Sequence, residues 1–403
     1  MTSQSSTSTD NRLLESQDFS LVLGGPLYQL LRRSHLTDDA LQLVRQRIIV
    51  ISLFAWLPLL ALSALEGELL GGRAAVPFLY DVENHVKFLL VMPLLIVAEL
   101  VVHQRMRLVV RQFLERHLIS ESALPRFDAA IASAFRLRNS VLAELLLIAF
   151  VYGVGILIVW RYFMTLNTAT WYAAPSAGGL KLSLAGMWYV YVGLAFYQFL
   201  LLRWYYRLFI WSRFLFQVTR IELSLIPTHP DRVGGLGFLG NTVYAFVPLA
   251  VAHGATLAGW IANRIFFVGA ALPDFKVEIA AVLIFLLCLV LGPLLLFAPQ
   301  LAQAKRTGNR EYGALAERYV REFDAKWLRG GAPADEPLVG SADIQSLADL
   351  ANSFEMVRTM QIAPISRDAL VRLVAATLAP VVPLALTMMP MEELLKKLIG
   401  ILF

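Results

Sequence analysis

The sequence predicts an all-α, polytopic transmembrane helix bundle of about seven spans with a small cytoplasmic helical hairpin, and three observations predict it. Charged residues make up 16% of the 403-residue chain and hydrophobic ones 58%. A soluble domain is about one quarter charged, so this chain lacks the polar surface to coat a globule of its size. Apolar runs also recur at about the 20-residue length that crosses a bilayer core as a helix. Finally, Lys and Arg are distributed very unequally among the segments between those runs.

Five runs are free of Asp, Glu, Lys and Arg. Arg47 to Glu66 encloses 18 residues, Lys181 to Arg203 encloses 21, Arg232 to Arg264 encloses 31, Glu278 to Lys305 encloses 26, and Arg372 to Glu392 encloses 19. Residues 84–104 and 139–161 qualify once Glu99 and Glu144 are accepted inside. Residues 1–18 are polar, rich in Ser and Thr, and lack the basic start and small-residue cleavage site of a signal peptide; they read as a disordered tail. Residues 19–47 contain a run too short to span, with Gly24, Gly25 and Pro26, and read as an interfacial or re-entrant segment. Residues 48–304 hold six spans with basic loops. Residues 366–403 hold a last span or re-entrant segment broken by Pro380 and Pro383, followed by the amphipathic tail MEELLKKLIGILF.

The positive-inside rule sets the orientation. With the N-terminus in the cytoplasm, 27 of the 35 Lys and Arg residues fall on cytoplasmic segments and 8 on the other side. Trp160, Tyr162, Trp171 and Tyr172 then read as outer interfacial anchors, and Trp204, Tyr205, Tyr206 and Trp211 as inner ones. The fourth span is expected to continue past the membrane, with Arg203, Arg207 and Arg213 at the lipid headgroups; Arg105, Arg107, Arg111 and Arg116 read the same way. The expected partner is therefore a bilayer with anionic headgroups. The net charge of +5 is patterned for a membrane rather than for nucleic acid.

Residues 305–365 form the extramembrane hairpin. Tyr312, Leu315, Tyr319, Phe323 and Trp327 make one helical stripe, and Ile344, Leu347, Leu350, Phe354 and Val357 make another. Ser341 is the expected N-cap of the second helix. The hairpin is expected to pack under the bundle or against another subunit, which leaves room for a homo-oligomer.

Chemistry is expected where polar groups meet hydrocarbon. A carboxylate in a span costs a few kcal/mol, about +3 on insertion scales, and is a functional candidate by default. Glu99 lies one turn from His103 on the same face, and Glu144 lies five residues past Asn139. The stretch PTHPDRVGGLGFLG, Pro227 to Gly240, supplies His229, Asp231, Arg232, Gly235 and Gly237 at the expected start of the next helix. Its glycines spell G-x-G-x-x-G without the βαβ unit that dinucleotide binding requires. Close backbone amides at a helix start remain suited to an anion; the alternative is a turn that needs glycine for packing. Glu99, His103, Asn139, Glu144, His229, Asp231 and Arg232 are expected to converge in one polar layer. The alternative is that the two glutamates pair with Arg232, Arg203 or Arg138 for mutual neutralisation. His253, in mid-span, either relays protons or bonds a neighbouring helix. The pairs Ala149 with Gly153 and Ala255 with Gly259 suggest close helix contacts. No cofactor motif is present, no metal-site signature appears, and Cys288 is the only cysteine.

The stretches HPDRVGGLGFLG, LPDFKVEI and GSADIQSLADLANSFEMVR resemble segments of an uncharacterised family of bacterial multi-pass membrane proteins. The resemblance covers most of the chain after the N-terminal tail. It implies a bacterial inner-membrane location and no particular activity. Three functions fit the residues: a transporter or channel for an ion or small anion, a membrane-embedded enzyme or lipid-handling protein using His229 and Asp231, and a scaffold or signalling protein acting through the hairpin.

Overall fold

The computed structural model describes residues 19–33, 43–164, 169–176 and 179–388. The N-terminal tail and the amphipathic C-terminal stretch lie outside them. Among the described residues the fold is all-α apart from one short ribbon. In order, the helices are α1 (Pro26–Arg33), α2 (Val44–Leu65), α3 (Val82–Glu115), α4 (Leu124–Arg138), α5 (Val141–Ile158), α6 (Leu184–Val218), α7 (Val247–Val268), α8 (Leu272–Leu328), α9 (Ala342–Arg358) and α10 (Arg367–Leu378). Five of them, α2, α3, α5, α6 and α8, are long and apolar enough to cross a membrane. Two bent pairs raise the number to seven: Gly237–Ala245 with α7, at 42°, and α10 with Val382–Met388, at 51°. Each of the seven candidate spans overlaps one of the apolar runs. The second bend falls at Pro380 and Pro383, where the missing amide hydrogens interrupt the helical ladder.

Outward faces carry the apolar surface that a bilayer would cover. On α5, Leu142, Leu145 and Leu146 are all more than half exposed, and on α2 Ile49 and Phe54 are too. The helix α8 runs for 57 residues. Its first part is apolar and its last part forms one arm of the hairpin. The other arm, α9, is capped by the Ser341 hydroxyl, which accepts from the Asp343 amide at 3.1 Å. Tyr319 of α8 donates to the Asp343 carbonyl, closing the pair.

Several expected surface anchors are instead core residues. Trp171, Trp204 and Trp211 are fully buried. Trp171 donates its indole N–H to Asp81 Oδ2 at 2.7 Å, and Trp204 donates to the Leu95 carbonyl at 3.1 Å. An amphipathic ring suits an interface, but it suits a core equally well when its N–H finds a partner. Trp171 introduces a two-stranded ribbon that the sequence did not suggest: β1 (Ala173–Ser176) pairs antiparallel with β2 (Gly179–Leu182). This marks one end of the bundle. The hairpin of α8 and α9 marks the other.

Small residues act unevenly. A Cβ on Gly254 would meet the Thr377 carbonyl oxygen of α10, and one on Gly259 would lie 3.1 Å from Glu83 Cα. Nothing lies within 4 Å of a Cβ on Gly153. Gly259 and Gly254, the neighbour of Ala255, thus sit at close helix contacts, whereas Gly153 does not, contrary to expectation. Overpacking a tight contact costs about 1–3 kcal/mol. Gly254→Ala should therefore lower the thermal midpoint in detergent by several degrees, and Gly153→Ala should leave it unchanged or raise it. Equal effects would contradict this account of the α7–α10 contact.

Candidate functional site

Glu99 is the centre of the charged layer. It lies in α3, only 6% exposed, among three arginines. Arg207 donates to Glu99 Oε1 at 2.7 Å. Arg203 approaches the same oxygen at 3.5 Å. Arg47, 2% exposed, places a terminal nitrogen 2.8 Å from Glu99 Oε2, as a charge contact rather than a well-angled hydrogen bond. Arg203 also reaches Glu144 Oε1 at 3.4 Å. Arg203 and Arg207 are one turn apart on α6, which puts both guanidinium groups on one helix face. They were expected at lipid headgroups but are buried, because two carboxylates inside the bundle need partners there. The cavity among Arg47, Glu99, Arg203 and Arg207 measures about 10 Å³, room for about one water. The layer is packed.

The N-terminal segment completes it. Phe19, Leu21 and Val22 are buried in the core, so this stretch is inserted into the bundle rather than laid along its surface. Glu144 Oε2 accepts from the Leu27 amide at 2.9 Å, and Asn139 Oδ1 accepts from the Gly25 amide at 3.1 Å. Gly24 and Gly25 have φ of +141° and +88°. A Cβ on Gly24 would lie 2.5 Å from Asn139 Oδ1, so glycine is needed for the approach. His103 Nδ1 sits 3.0 Å from the Ser20 hydroxyl, which also caps the Val22 and Leu23 amides. Glu99, His103, Asn139 and Glu144 are thus linked through Arg203 and residues 20–27.

His229, Asp231 and Arg232 do not join this layer, contrary to expectation. Their loop docks against the far end of α3, where Arg116 donates to the Gly235 carbonyl at 3.2 Å. That is 17 residues from Glu99, about 25 Å of helix. Asp231 does not start the next helix. Its carboxylate accepts from the amides of Val233 at 2.9 Å, Gly235 at 3.1 Å and Gly237 at 2.8 Å. The anion in this nest of amides is the chain's own side chain, which removes the argument for an external anion there. His229 Nδ1 lies 2.9 Å from Asp231 Oδ1. Arg232 takes a positive φ of 58° and is exposed, with its carbonyl accepting from the Gln361 amide at 2.7 Å. The His229 and Asp231 side chains do meet, as the enzyme reading expects, but a carboxylate already holding three amides is a poor general base.

His253 belongs to a different feature. A cavity of about 470 Å³ lies among α3, α6, α7 and α8. On its wall, Tyr205 lies 2.7 Å from His253 Nε2, and His253 Nδ1 lies 2.7 Å from the Leu249 carbonyl. A carbonyl only accepts, so Nδ1 carries the hydrogen, and whenever the ring is neutral Nε2 accepts from the Tyr205 hydroxyl. Tyr197 and Thr256 share a hydrogen bond at 3.0 Å. Lys87, 5% exposed, donates to Glu83 at 3.0 Å and to the Tyr189 hydroxyl at 3.1 Å. Two π-helical stretches, Val86–Val91 and Tyr189–Leu194, flank this wall. Such wide turns re-aim side chains and are frequent at functional sites. Gln198, Trp260 and Glu278 also line the cavity.

Among the described residues no group of three or more His, Cys, Asp and Glu side chains is placed to hold a metal ion. Sequence reasoning missed Arg47 and Arg207 as layer members and Lys87, Tyr197, Tyr205 and Glu278 as cavity walls; Arg203 was among the cations it offered to the two glutamates. The available signal was the excess of intramembrane carboxylates, which demanded cations at matching depth. No protein-family model, curated protein or solved structure matches the chain.

Removing one partner of a buried ion pair costs about 3–5 kcal/mol. Glu99→Gln should therefore destabilise the bundle strongly in chemical denaturation. Glu115→Gln, which breaks only the partly exposed Arg111 pair, should change stability by about 1 kcal/mol or less. Similar losses from both would contradict the burial argument. Asp231 titrates below the ordinary carboxylate range: burial pushes it up, but the three amide donors and His229 outweigh that. Its contribution is complete above the unfolded value of about 4 and is lost as pH falls through the lower folded value. Amide exchange at Val233, Gly235 and Gly237, corrected for intrinsic rates, should accelerate only below about pH 4. Asp231→Ala, which removes both acceptor oxygens, should show fast exchange at every pH, and protection unchanged by that substitution would refute the nest.

Proposed function

We propose that the chain is a membrane carrier for a small amphipathic solute, with the cavity as its binding chamber and the Glu99 layer as a seal. The observation that carries this reading is the cavity itself. Its volume of about 470 Å³ falls in the usual range for small-molecule sites, about 300–1,000 Å³, and four candidate spans wall it. Most of the wall is hydrocarbon or aromatic, with polar groups confined to the Lys87–Glu83 pair, the tyrosines and a few side chains near them.

The relation of cavity to layer supports movement rather than storage. The helix α6 turns one face, with Leu194, Tyr197, Gln198, Leu201 and Tyr205, to the cavity, and another, with Leu200, Arg203, Trp204 and Arg207, to the charged layer. On α3, Lys87 and Glu99 are 12 residues apart, about 18 Å. A chamber at one depth and a packed charged layer at another is the arrangement an alternating-access carrier needs. The excess of Lys and Arg in the segments at that end supports a cytoplasmic position for the layer.

The test is transbilayer movement in proteoliposomes. Trace fluorescent acyl probes with glycerol, ammonium and carboxylate heads are added, and the outer-leaflet pool is bleached with dithionite. At least one probe should cross faster with protein than without, by tenfold or more. Lys87→Met and Tyr205→Phe should remove most of that gain. No protein-dependent movement of any probe would overturn the carrier reading.

A further inference from the structure

The hairpin end of the bundle carries a second polar feature, separate from the Glu99 layer. Arg105 of α3 and Arg372 of α10 lie against the same aromatic ring, that of Tyr244, with guanidinium carbons 5.9 Å and 4.5 Å from its centroid. Both arginines are exposed, and neither has an ion-pair partner among the described residues. Asp368 sits one turn before Arg372 on the same face of α10, yet the two form no ion pair, and Arg372 is turned to Tyr244. Like charges gathered at one ring repel each other. The ring face offsets part of that repulsion, and an anion touching both guanidinium groups would offset the rest.

Tyr244 also borders a cleft of about 560 Å³ between the Asp231 loop, the segment Gly237–Ala245 and the start of α10. The cleft is polar and its polar groups are reachable. Asn241, Gln361, Arg367 and Asp368 line it and are exposed, with side chains that have no hydrogen-bond partner among the described residues. Asp231, the other carboxylate on the wall, is already taken up by three amides. Positive charge is therefore in excess around Tyr244, outside the nest that Asp231 fills.

Hydrocarbon adjoins this charge. Leu108, one turn past Arg105, is 53% exposed, and Val371, beside Arg372, is 65% exposed. Arg105, Tyr244 and Arg372 belong to three different candidate spans, each toward its hairpin end. Basic pockets between spans on the cytoplasmic side recognise anionic lipid head groups, and the guanidinium fork matches the oxygens of a phosphate.

We infer that this cluster holds the head group of an anionic phospholipid. The phosphate sits between Arg105 and Arg372 at the Tyr244 ring, the hydroxyls of the head extend into the cleft toward Asn241, Gln361 and Asp368, and the acyl chains run along Leu108 and Val371. The site is distinct from the chamber among α3, α6, α7 and α8, and it does not rest on the carrier reading.

Lipid binding to the full chain tests it. Delipidated protein in an uncharged detergent is titrated with phosphatidylglycerol, phosphatidylcholine and glycerol phosphate, and the bound fraction is read by native mass spectrometry. Phosphatidylglycerol should bind at least about tenfold more tightly than phosphatidylcholine, and glycerol phosphate at matched concentration should not displace it. Arg105→Gln and Arg372→Gln should each weaken phosphatidylglycerol about tenfold, as loss of one charged hydrogen bond implies. Arg105→Lys, which keeps the charge without the fork, should weaken it less. Arg107→Gln is the control, since it removes the same charge at a similar depth from the opposite side of α3, and it should leave binding unchanged. All three arginines are exposed, so these substitutions should leave the thermal midpoint near that of the parent. Equal losses from Arg105→Gln and Arg107→Gln would mean diffuse attraction to a basic surface and would overturn the site, as would equal binding of the two lipids. Displacement by glycerol phosphate would assign the cluster to a soluble phosphate and overturn the lipid reading.

Discussion

A carboxylate buried among three guanidinium groups is the constraint on which the rest of this structure depends. Glu99 is buried away from bulk solvent, so its charge is tolerable only beside Arg47, Arg203 and Arg207. Those arginines come from α2 and α6, so satisfying one side chain fixes three helices relative to each other. Arg203 extends the constraint to α5 through Glu144, and Glu144 extends it to the N-terminal segment through the Leu27 amide. Three cations against two anions leave the layer short of negative charge, and Arg47 Nε has no hydrogen-bond partner. A buried ion pair is a weak source of net stability but a strong penalty when broken. Such a layer therefore acts by excluding misaligned arrangements of the bundle.

The helix α6 links this constraint to the proposed binding chamber. Its two faces serve the packed layer and the open cavity, and neither face can shift without the other. The π-helical stretch Tyr189–Leu194 sits toward the cavity end of that helix, with Gly193 against Phe88 of the matching stretch in α3. At the ribbon end, Asp81 ties Trp171, Asn263 and the Asn84 amide together. The chamber thus lies between two polar clamps, one charged and one built on a single aspartate. A carrier cycle would loosen one clamp while the other holds.

Much of the architecture was legible in the sequence because the physics behind it is one-dimensional. A span is a contiguous run, so counting between charges located all seven candidates, and the proline break in the last one was visible too. The site was legible only in part. Glu99 and Glu144 stood out because carboxylates are rare in apolar runs, and Asn139 and His103 followed by helix spacing. Arg203 was visible as a cation for the glutamates, but Arg47 served only as a span boundary, so the method that found the helices hid one of the main ion-pair partners. Asp231 was misplaced because a nest of amides filled by a neighbouring carboxylate has the same sequence signature as one waiting for an anion. The cavity was invisible: Lys87, Tyr205, His253 and Glu278 come from four helices, and only their packing brings them together. Trp204 and Trp211 had the composition of an interfacial belt but proved to be core, a distinction that depends on which face of α6 is covered.

The most direct measurement is a double-mutant cycle between Glu99→Gln and Arg207→Gln, read by reversible denaturation in detergent. If the carboxylate and its arginines form the constraint described, the two losses are strongly non-additive, with a coupling energy of about 1.5–3 kcal/mol. Additivity within about 0.5 kcal/mol would mean that Glu99 and Arg207 are solvated independently, and the layer would not be what holds the bundle in register.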